Sequence, residues 1–537
     1  MQAISYAYGQ NHFLLDPDLP VLLDHYLPSW RENLNDLRDF GMLMGTEAYE
    51  TLYHIDHDAP PVLVMHDLDG NRIDRVRLSP AQNALMKKVA FINRPPYAGK
   101  SWHLHYAYGY LLADTGLYCI VTITNQTAYA IYKYAPEHKS YLEPLLSGEA
   151  YGATWMTESQ GGSDLGANTT SAVFDEHSGI WHLTGDKYFA SGAGLTDVAI
   201  TTARPQGAPD GPKGLALFLL PRLNQDGLNY HVRRLKDKSA TRAVPSGEVE
   251  LSSSEAYMIG RAEEGIYYTL ENLTVSRLAN SIGAMGVAKK AHLEVLERVK
   301  RRRAFGKALV DQPLIRNDLT DLAVRMAGGL ALTFYAIEQF DRAWKERPPY
   351  SDAYHYARFF SHIAKNKTAE HSAEITRMGM ELFGGLGFLE EYAVARWHRE
   401  ALITPIWEGP SNIQALDWLE TIHKKAAHKP YLEQIETILS AFDTPESRLA
   451  WQTIQDTFVE LNRSSSLDEA IWQAKYALNR IADATQVALL YDLSRTGGER
   501  YQKLAALYAR RFLSGKTYPY WAVNDADIYL ASDTHHV

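Results

Sequence analysis

The sequence predicts an α+β protein: a helical domain, a central β domain, a helical bundle and a further helical region, in that order. Three observations predict it. Apolar spacing is helical up to about residue 150, short β-prone segments follow Gly152, and helical period returns from about Glu263. The chain has 537 residues, and at roughly 150 residues per domain it has room for three or four packed units. Hydrophobic residues make up 46% and charged residues 22%, a balance that excludes wholesale disorder, collagen-like repeats and a coiled-coil rod.

Residues 1–45 read as an N-terminal arm, because Pro17, Pro20 and Pro28 interrupt short apolar runs. Residues 46–150 read as an N-terminal helical domain, broken where Asn93-Arg94-Pro95-Pro96 ends any helix. Residues 151–262 form the β domain, with strands expected at 173–174, 180–183, 188–189, 198–203, 215–220 and 248–251. No helix-length segment separates these strands, so an antiparallel barrel or sandwich is expected rather than a parallel dinucleotide-binding sheet. Residues 263–423 read as the bundle. Leu278, Ile282, Met285, Ala288, His292, Val295 and Val299 make one stripe down a long helix ending near Arg301-Arg302-Arg303. His292 on that stripe is a proton carrier or, more ordinarily, a packed histidine. Two further helices are expected over 314–345 and 354–382, separated by Pro348-Pro349. Residues 424–537 read as a C-terminal helical extension. Its best helix opens with Ser466 and Glu469 in capping-box spacing and carries Leu467, Ile471, Ala474, Leu478, Ile481 and Ala488 on one face to dock.

The charge balance narrows the partners. Net charge is −10, so no global positive field points to nucleic acid or an anionic membrane, and residues 424–537 hold 13 basic against 14 acidic side chains. Cys119 is the single cysteine, which precludes an intramolecular disulfide and suits a reducing compartment; a cytoplasmic location is expected. No signal-peptide pattern opens the chain, and no apolar run reaches the roughly 18 residues of a membrane span. Neither His54, His57 and Asp58 nor His103 and His105 has further ligands at a suitable spacing, so no metal is expected.

Five segments carry chemistry. Met156-Thr157-Glu158-Ser159-Gln160-Gly161-Gly162-Ser163-Asp164 gathers hydroxyls and glycines that could meet a polar ring or a phosphate. Its spacing fits neither a hydrolase elbow around Ser163 nor a Walker loop. Gly185-Asp186-Lys187-Tyr188-Phe189-Ala190-Ser191 adds a turn, an aromatic and a hydroxyl. Arg302-Arg303-Ala304-Phe305-Gly306 ends the long helix. Last come Glu381-Leu382-Phe383-Gly384-Gly385-Leu386-Gly387 and Ile406-Trp407-Glu408-Gly409-Pro410-Ser411-Asn412-Ile413-Gln414. In this order they resemble the acyl-CoA dehydrogenase family over roughly residues 150–422. The Met-Thr-Glu-x-Gln-Gly-Gly-Ser-Asp, Phe-x-Ser and Ile-Trp-Glu-Gly forms, with the long flanking segments, are most similar to its AidB-like, alkylation-response branch.

The resemblance implies one FAD per subunit in a homotetramer built as a dimer of dimers. It implies that Thr157 and Ser163 contact the isoalloxazine ring or the ligand carbonyl, and that Phe189 and Ser191 pack against and hydrogen-bond the flavin. Arg302 would meet the FAD pyrophosphate across the dimer interface, with Gln312 nearby and Gly384 and Gly385 letting backbone approach the cofactor; the alternative for the arginine cluster is a solvated helix end. Asn412 keeps an amide for FAD beside Ser411. Glu408 is implied as the base that removes the α-proton of an acyl-CoA thioester while hydride leaves to the flavin. Ile406 and Trp407 would desolvate it. Arg277 either orients Glu408 or pairs within the bundle. Trp155 and Met156 narrow the acyl pocket, favouring short or branched chains, or belong to the core. The sequence departs from the wider family in Phe189 for tryptophan, Pro410 for threonine and Asn412 for glutamine. An electron-transfer acceptor would reoxidise the flavin. Rival readings are a DNA-associated flavoprotein of the alkylation response, which the near-neutral C-terminal region weakens, and an oxygen-using flavin oxidase or monooxygenase, against which Glu408 counts.

Overall fold

The computed structural model describes residues 5–530; the outermost parts of the expected N-terminal arm and C-terminal extension, residues 1–4 and 531–537, lie outside the described residues. The chain divides into two compact units, one of Met1–Glu50, Lys100–Ala113 and Arg277–Val537, the other of Thr51–Gly99 and Asp114–Ser276.

The second unit is built on a seven-stranded sheet. Strand Ser246–Ile259 pairs antiparallel with Ile180–Ser191 along its first part and with Ala216–Pro221 at its end. Ile180–Ser191 pairs with Ser171–Asp175, which reaches Val198–Pro205, and that strand pairs back to Ala216–Pro221. The pairings therefore close on themselves, the barrel solution to exposed sheet edges. The expected antiparallel character holds for most pairs, with a correction at Val198–Pro205, which runs parallel to Gly152–Trp155 and to the start of Ser171–Asp175. The short expected strands at 180–183 and 188–189 are one continuous strand. Gly185, at φ 153°, carries it past Thr170, whose Cα would lie 2.8 Å from a Cβ there. Ala153, Trp155, Ala172, Leu183, Ala199, Phe218 and Val249 fill the interior, alternating with outward residues as the pleat requires. A hairpin of Val62–His66 and Arg72–Arg77 interrupts the mostly helical region expected before residue 150.

The other unit is helical. The stripe from Leu278 to Val299 is buried, His292 included, along helix Gly265–Arg301, whose continuous run crosses the division at Ser276. Phe305 and Gly306, at φ 50° and 79°, then turn the chain between the short strands Arg303–Ala304 and Lys307–Ala308. Pro313 opens helix Pro313–Ala343, with its missing N–H at an end where none is needed. Helix Asp352–Phe383 packs on Pro313–Ala343, on Ser411–His423 and on Leu467–Gly497, so the C-terminal helices extend the same core. The face expected to dock is buried at Ala474, Leu478, Ile481 and Ala488, but Leu467 and Ile471 are exposed. The first turns overhang the core, which corrects the expected stripe. Ser466 caps that helix by accepting from Glu469 N, while the Glu469 carboxylate turns back to Ser465 instead of closing the box; a complete capping box stands at Thr444 and Ser447.

Candidate active site

The candidate residues fall into two groups, one in each unit. In the sheet unit, the Trp155 indole donates to Ser191 O at 2.9 Å and Tyr188 N donates to Thr157 O at 3.0 Å, so the first two motifs lie side by side. Thr157 and Ser191 are half-buried, Ser163 is exposed, and Phe189 is 57% exposed, a large apolar ring left facing outward. Gly162 is required where the loop folds back, since a Cβ there would lie 2.5 Å from Thr157 Oγ1. Of the two readings of Trp155 and Met156, the structure shows core. Trp155 is 1% exposed and meets Tyr230 edge-on, and Met156 packs with Val198 and Ile200. Ser191 Oγ hydrogen-bonds Ser246 Oγ at 3.1 Å.

The anchor of the first motif was not assigned from sequence. Glu158 is buried and accepts from Thr169 N at 2.6 Å, Thr170 N at 3.2 Å and Lys187 Nζ at 2.8 Å, and Lys187 also donates to Thr202 O. Burial opposes the Glu158 charge, but the Lys187 ammonium and these donors outweigh it and hold the carboxyl below its ordinary range. Lys236 Nζ lies 3.3 Å from the Tyr188 ring centroid and 4.8 Å from that of Phe189, stiffening the aromatic pair.

In the helical unit, Glu408 sits in a turn between helices Ala393–Ile403 and Ser411–His423, with Glu408 at φ 59° and Gly409 at φ 93°. A left-handed non-glycine residue costs about 1–3 kcal/mol and persists only where its surroundings impose it. Four bonds impose it here. Glu408 O accepts from Arg277 Nε at 3.2 Å and Gln414 Nε2 at 2.9 Å; Gly409 O accepts from Gln414 Nε2 at 2.8 Å and Lys365 Nζ at 2.7 Å. His362 Nδ1 donates to Gln414 Oε1 at 3.0 Å, which turns the Gln414 amide so that its NH2 faces both carbonyls. Arg277 also donates to Asp417 Oδ2 at 2.8 Å, so its guanidinium bridges the Glu408 backbone and helix Ser411–His423. Burial, then the nearby Arg277 charge, pushes His362 down to about 3 and keeps it neutral. Lys365, Gln414, His362 and Asp417 were not singled out in the sequence; only Gln414 lay inside a motif. The expected apolar flank holds on one side only. Trp407 is half-buried with its indole bonded to Asn280, whereas Ile406 is 61% exposed because the turn points it away.

The remaining candidates also lie in this unit. Arg301 pairs with Glu297 and Arg303 donates to Gly306 O, whereas the exposed Arg302 guanidinium has no partner among the described residues. Gln312 Nε2 donates to Ala304 O at 3.1 Å. Gly384, at φ 63°, ends helix Asp352–Phe383, and a Cβ built on it or on Gly385 would meet nothing within 4 Å. Ser411 and Asn412 open helix Ser411–His423, half-buried and exposed respectively. Within this unit the partnerless Arg302 guanidinium and the open Gly384 and Gly385 fit a phosphate-bearing group, and within the sheet unit the outward Phe189 ring fits a flat one.

Comparison with known proteins covers the chain from residue 5 to residue 423. Family models match in chain order: the adaptive response protein AidB N-terminal domain over residues 5–153, the acyl-CoA dehydrogenase middle domain over 153–254 and the acyl-CoA dehydrogenase C-terminal domain over 263–423. AidB of Escherichia coli (strain K12), named as an acyl-CoA dehydrogenase, is 30% identical over 417 residues, covering 73% of this chain and 74% of its own. Caenorhabditis elegans ACDH-11 in complex with C11-CoA superposes with a TM-score of 0.82 at 23% identity, over 98% of this chain and 94% of that one. An acyl-CoA dehydrogenase complexed with FAD from Bacillus anthracis gives a TM-score of 0.72 at 16% identity, over 95% and 89%. The chain belongs to the acyl-CoA dehydrogenase family, whose members are FAD-dependent oxidoreductases acting on CH–CH bonds. Within it the chain is AidB-like, from the N-terminal domain match and the relative from E. coli together.

Proposed function

We propose that this protein catalyses α,β-dehydrogenation of an acyl-CoA thioester, with Glu408 as the base. The observation that carries the reading is the Glu408–Gly409 turn, in which a carboxylate-bearing residue is held in a left-handed conformation by Arg277, Gln414 and Lys365. Such strain is maintained where a side chain must be aimed. Glu408 takes the α-proton, and the β-hydrogen leaves with its electron pair, so the Cα–Cβ single bond becomes double. FAD, when bound, supplies the two-electron acceptor for that hydride. Thr157, Ser163, Phe189 and Ser191 are the residues that would hold its ring; Arg302, Gln312, Gly384, Gly385, Ser411 and Asn412 would hold its phosphates and amide-facing edges. Ile406, being exposed, leaves Trp407 as the apolar neighbour that limits water at Glu408.

With Trp155 and Met156 in the core, the expectation of a short or branched acyl group loses its support; in this reading the protein assembles as a homotetramer, and an electron-transfer acceptor removes the electrons. ACDH-11 of C. elegans, which shares the fold, was solved in complex with C11-CoA, which supports a CoA thioester as the ligand. Among the described residues no helix is long and apolar enough to cross a membrane. The test is Glu408→Gln. Flavin content should be retained, and single-turnover flavin reduction by a thioester that reduces the native protein should fall by at least about 10³-fold. Undiminished reduction in that variant removes Glu408 from the mechanism.

A further inference from the structure

Lys365 lies on helix Asp352–Phe383, buried, and gives its ammonium to one backbone carbonyl, that of Gly409. A buried lysine usually meets a carboxylate, because an uncompensated charge in the interior is costly. Here burial pushes the Lys365 ammonium down to about 7, the Glu408 charge pushes it back up, and Arg277 pushes it down again. Its hydrogen bond falls on the residue after the base, within electrostatic reach of Glu408. Gln414 reaches the same place from helix Ser411–His423, with one amide nitrogen shared between Glu408 O and Gly409 O, and His362 fixes which way that amide faces. Gly409 cannot be replaced without disturbing this set, since a Cβ there would lie 2.8 Å from Gln414 Nε2.

We propose that Lys365 and Gln414 are positioning residues for the base: they clamp the Glu408 and Gly409 carbonyls, hold the left-handed turn, and thereby fix the aim of the Glu408 carboxylate. The inference rests on the reading of Glu408 as the base, but the clamp itself is a statement about the backbone and can be tested without turnover. Lys365→Arg keeps a donor for Gly409 O, Lys365→Met removes it, and Gln414→Leu removes the shared donor while keeping the volume roughly constant.

The experiment uses the full-length holoprotein and three variants, Lys365→Met, Lys365→Arg and Gln414→Leu, with two readouts. Hydrogen exchange of the backbone amides over residues 405–412 should rise by about five-fold or more in Lys365→Met and in Gln414→Leu, and stay within about two-fold of native in Lys365→Arg, as local opening predicts. Flavin reduction by a thioester should slow by about ten-fold or more at saturation in the first two, with its apparent Kd within about two-fold, and recover in Lys365→Arg. Native exchange at 405–412 in both Lys365→Met and Gln414→Leu overturns the clamp, whatever the reduction rates. Raised exchange with an undiminished reduction rate also overturns the positioning role. If the native protein is not reduced by any thioester, the dehydrogenation reading fails; the exchange arm then decides the clamp by itself.

Discussion

At the scale of single residues, chemistry is concentrated where the backbone is least comfortable. Glu408 at φ 59° and Gly409 at φ 93° are adjacent, and the donors of Arg277, Gln414 and Lys365 hold their carbonyls. Gly409→Ala should therefore cost about 1–3 kcal/mol of stability, read from chemical denaturation, and more in flavin reduction than in thioester affinity. His362 gives a pH dependence. Its folded value of about 3 lies below the ordinary 6.5, so between these limits the unfolded chain binds a proton that the folded chain does not. Stability contributed by neutral His362 is full above about pH 6.5 and is lost as pH falls toward 3. In His362→Asn the acid-side slope of the urea midpoint should be shallower than in the native protein; an unchanged slope would show that other groups carry it. Glu408 and Arg277 were legible in the sequence because they stand in motifs. Lys365, His362 and Asp417 were not, because their role depends on which helices face the turn, and no local spacing encodes that.

At the scale of elements, the helix Leu117–Tyr134 shows a polar cluster that periodicity hides. Glu271, in the early turns of helix Gly265–Arg301, is buried and bonded by Lys133 Nζ, by the Tyr134 hydroxyl and by the Tyr129 hydroxyl at 2.8 Å. A buried pair of this kind adds little net stability when whole, but losing one member leaves an uncompensated charge. Lys133→Met should destabilise the protein by about 3–5 kcal/mol, and the double variant Lys133→Met, Glu271→Leu should recover much of the loss; a double variant no better than the single one contradicts this. Element existence was legible where period ran long, as along the stripe Leu278 to Val299, all of which is buried. Strand lengths were not. The 14-residue strand Ser246–Ile259 contains Ser252-Ser253-Ser254, which reads as a break, yet register shifts and Ser253 at φ 56° let one strand serve two partners in turn.

At the scale of the whole molecule, an ordered set of weak motifs defined the family where no single motif would have. Each was a polar loop taken alone; their sequence order, with β between helical regions, was the specific signal, and the family models match the same order. Cofactor retention belongs to this scale. Arg302 alone of its cluster has no partner among the described residues, so Arg302→Ala should lower the flavin-to-protein ratio and weaken subunit assembly together, read by absorbance and by light scattering. Unchanged flavin content would leave Arg302 as a solvated helix-end charge. The most direct test of the central claim is an anaerobic visible spectrum of the purified protein before and after a panel of acyl-CoA thioesters, isovaleryl-CoA among them. A yellow protein whose flavin band bleaches with one of the thioesters is the expected result, and a flavin band indifferent to every thioester would contradict the assignment of dehydrogenation to Glu408.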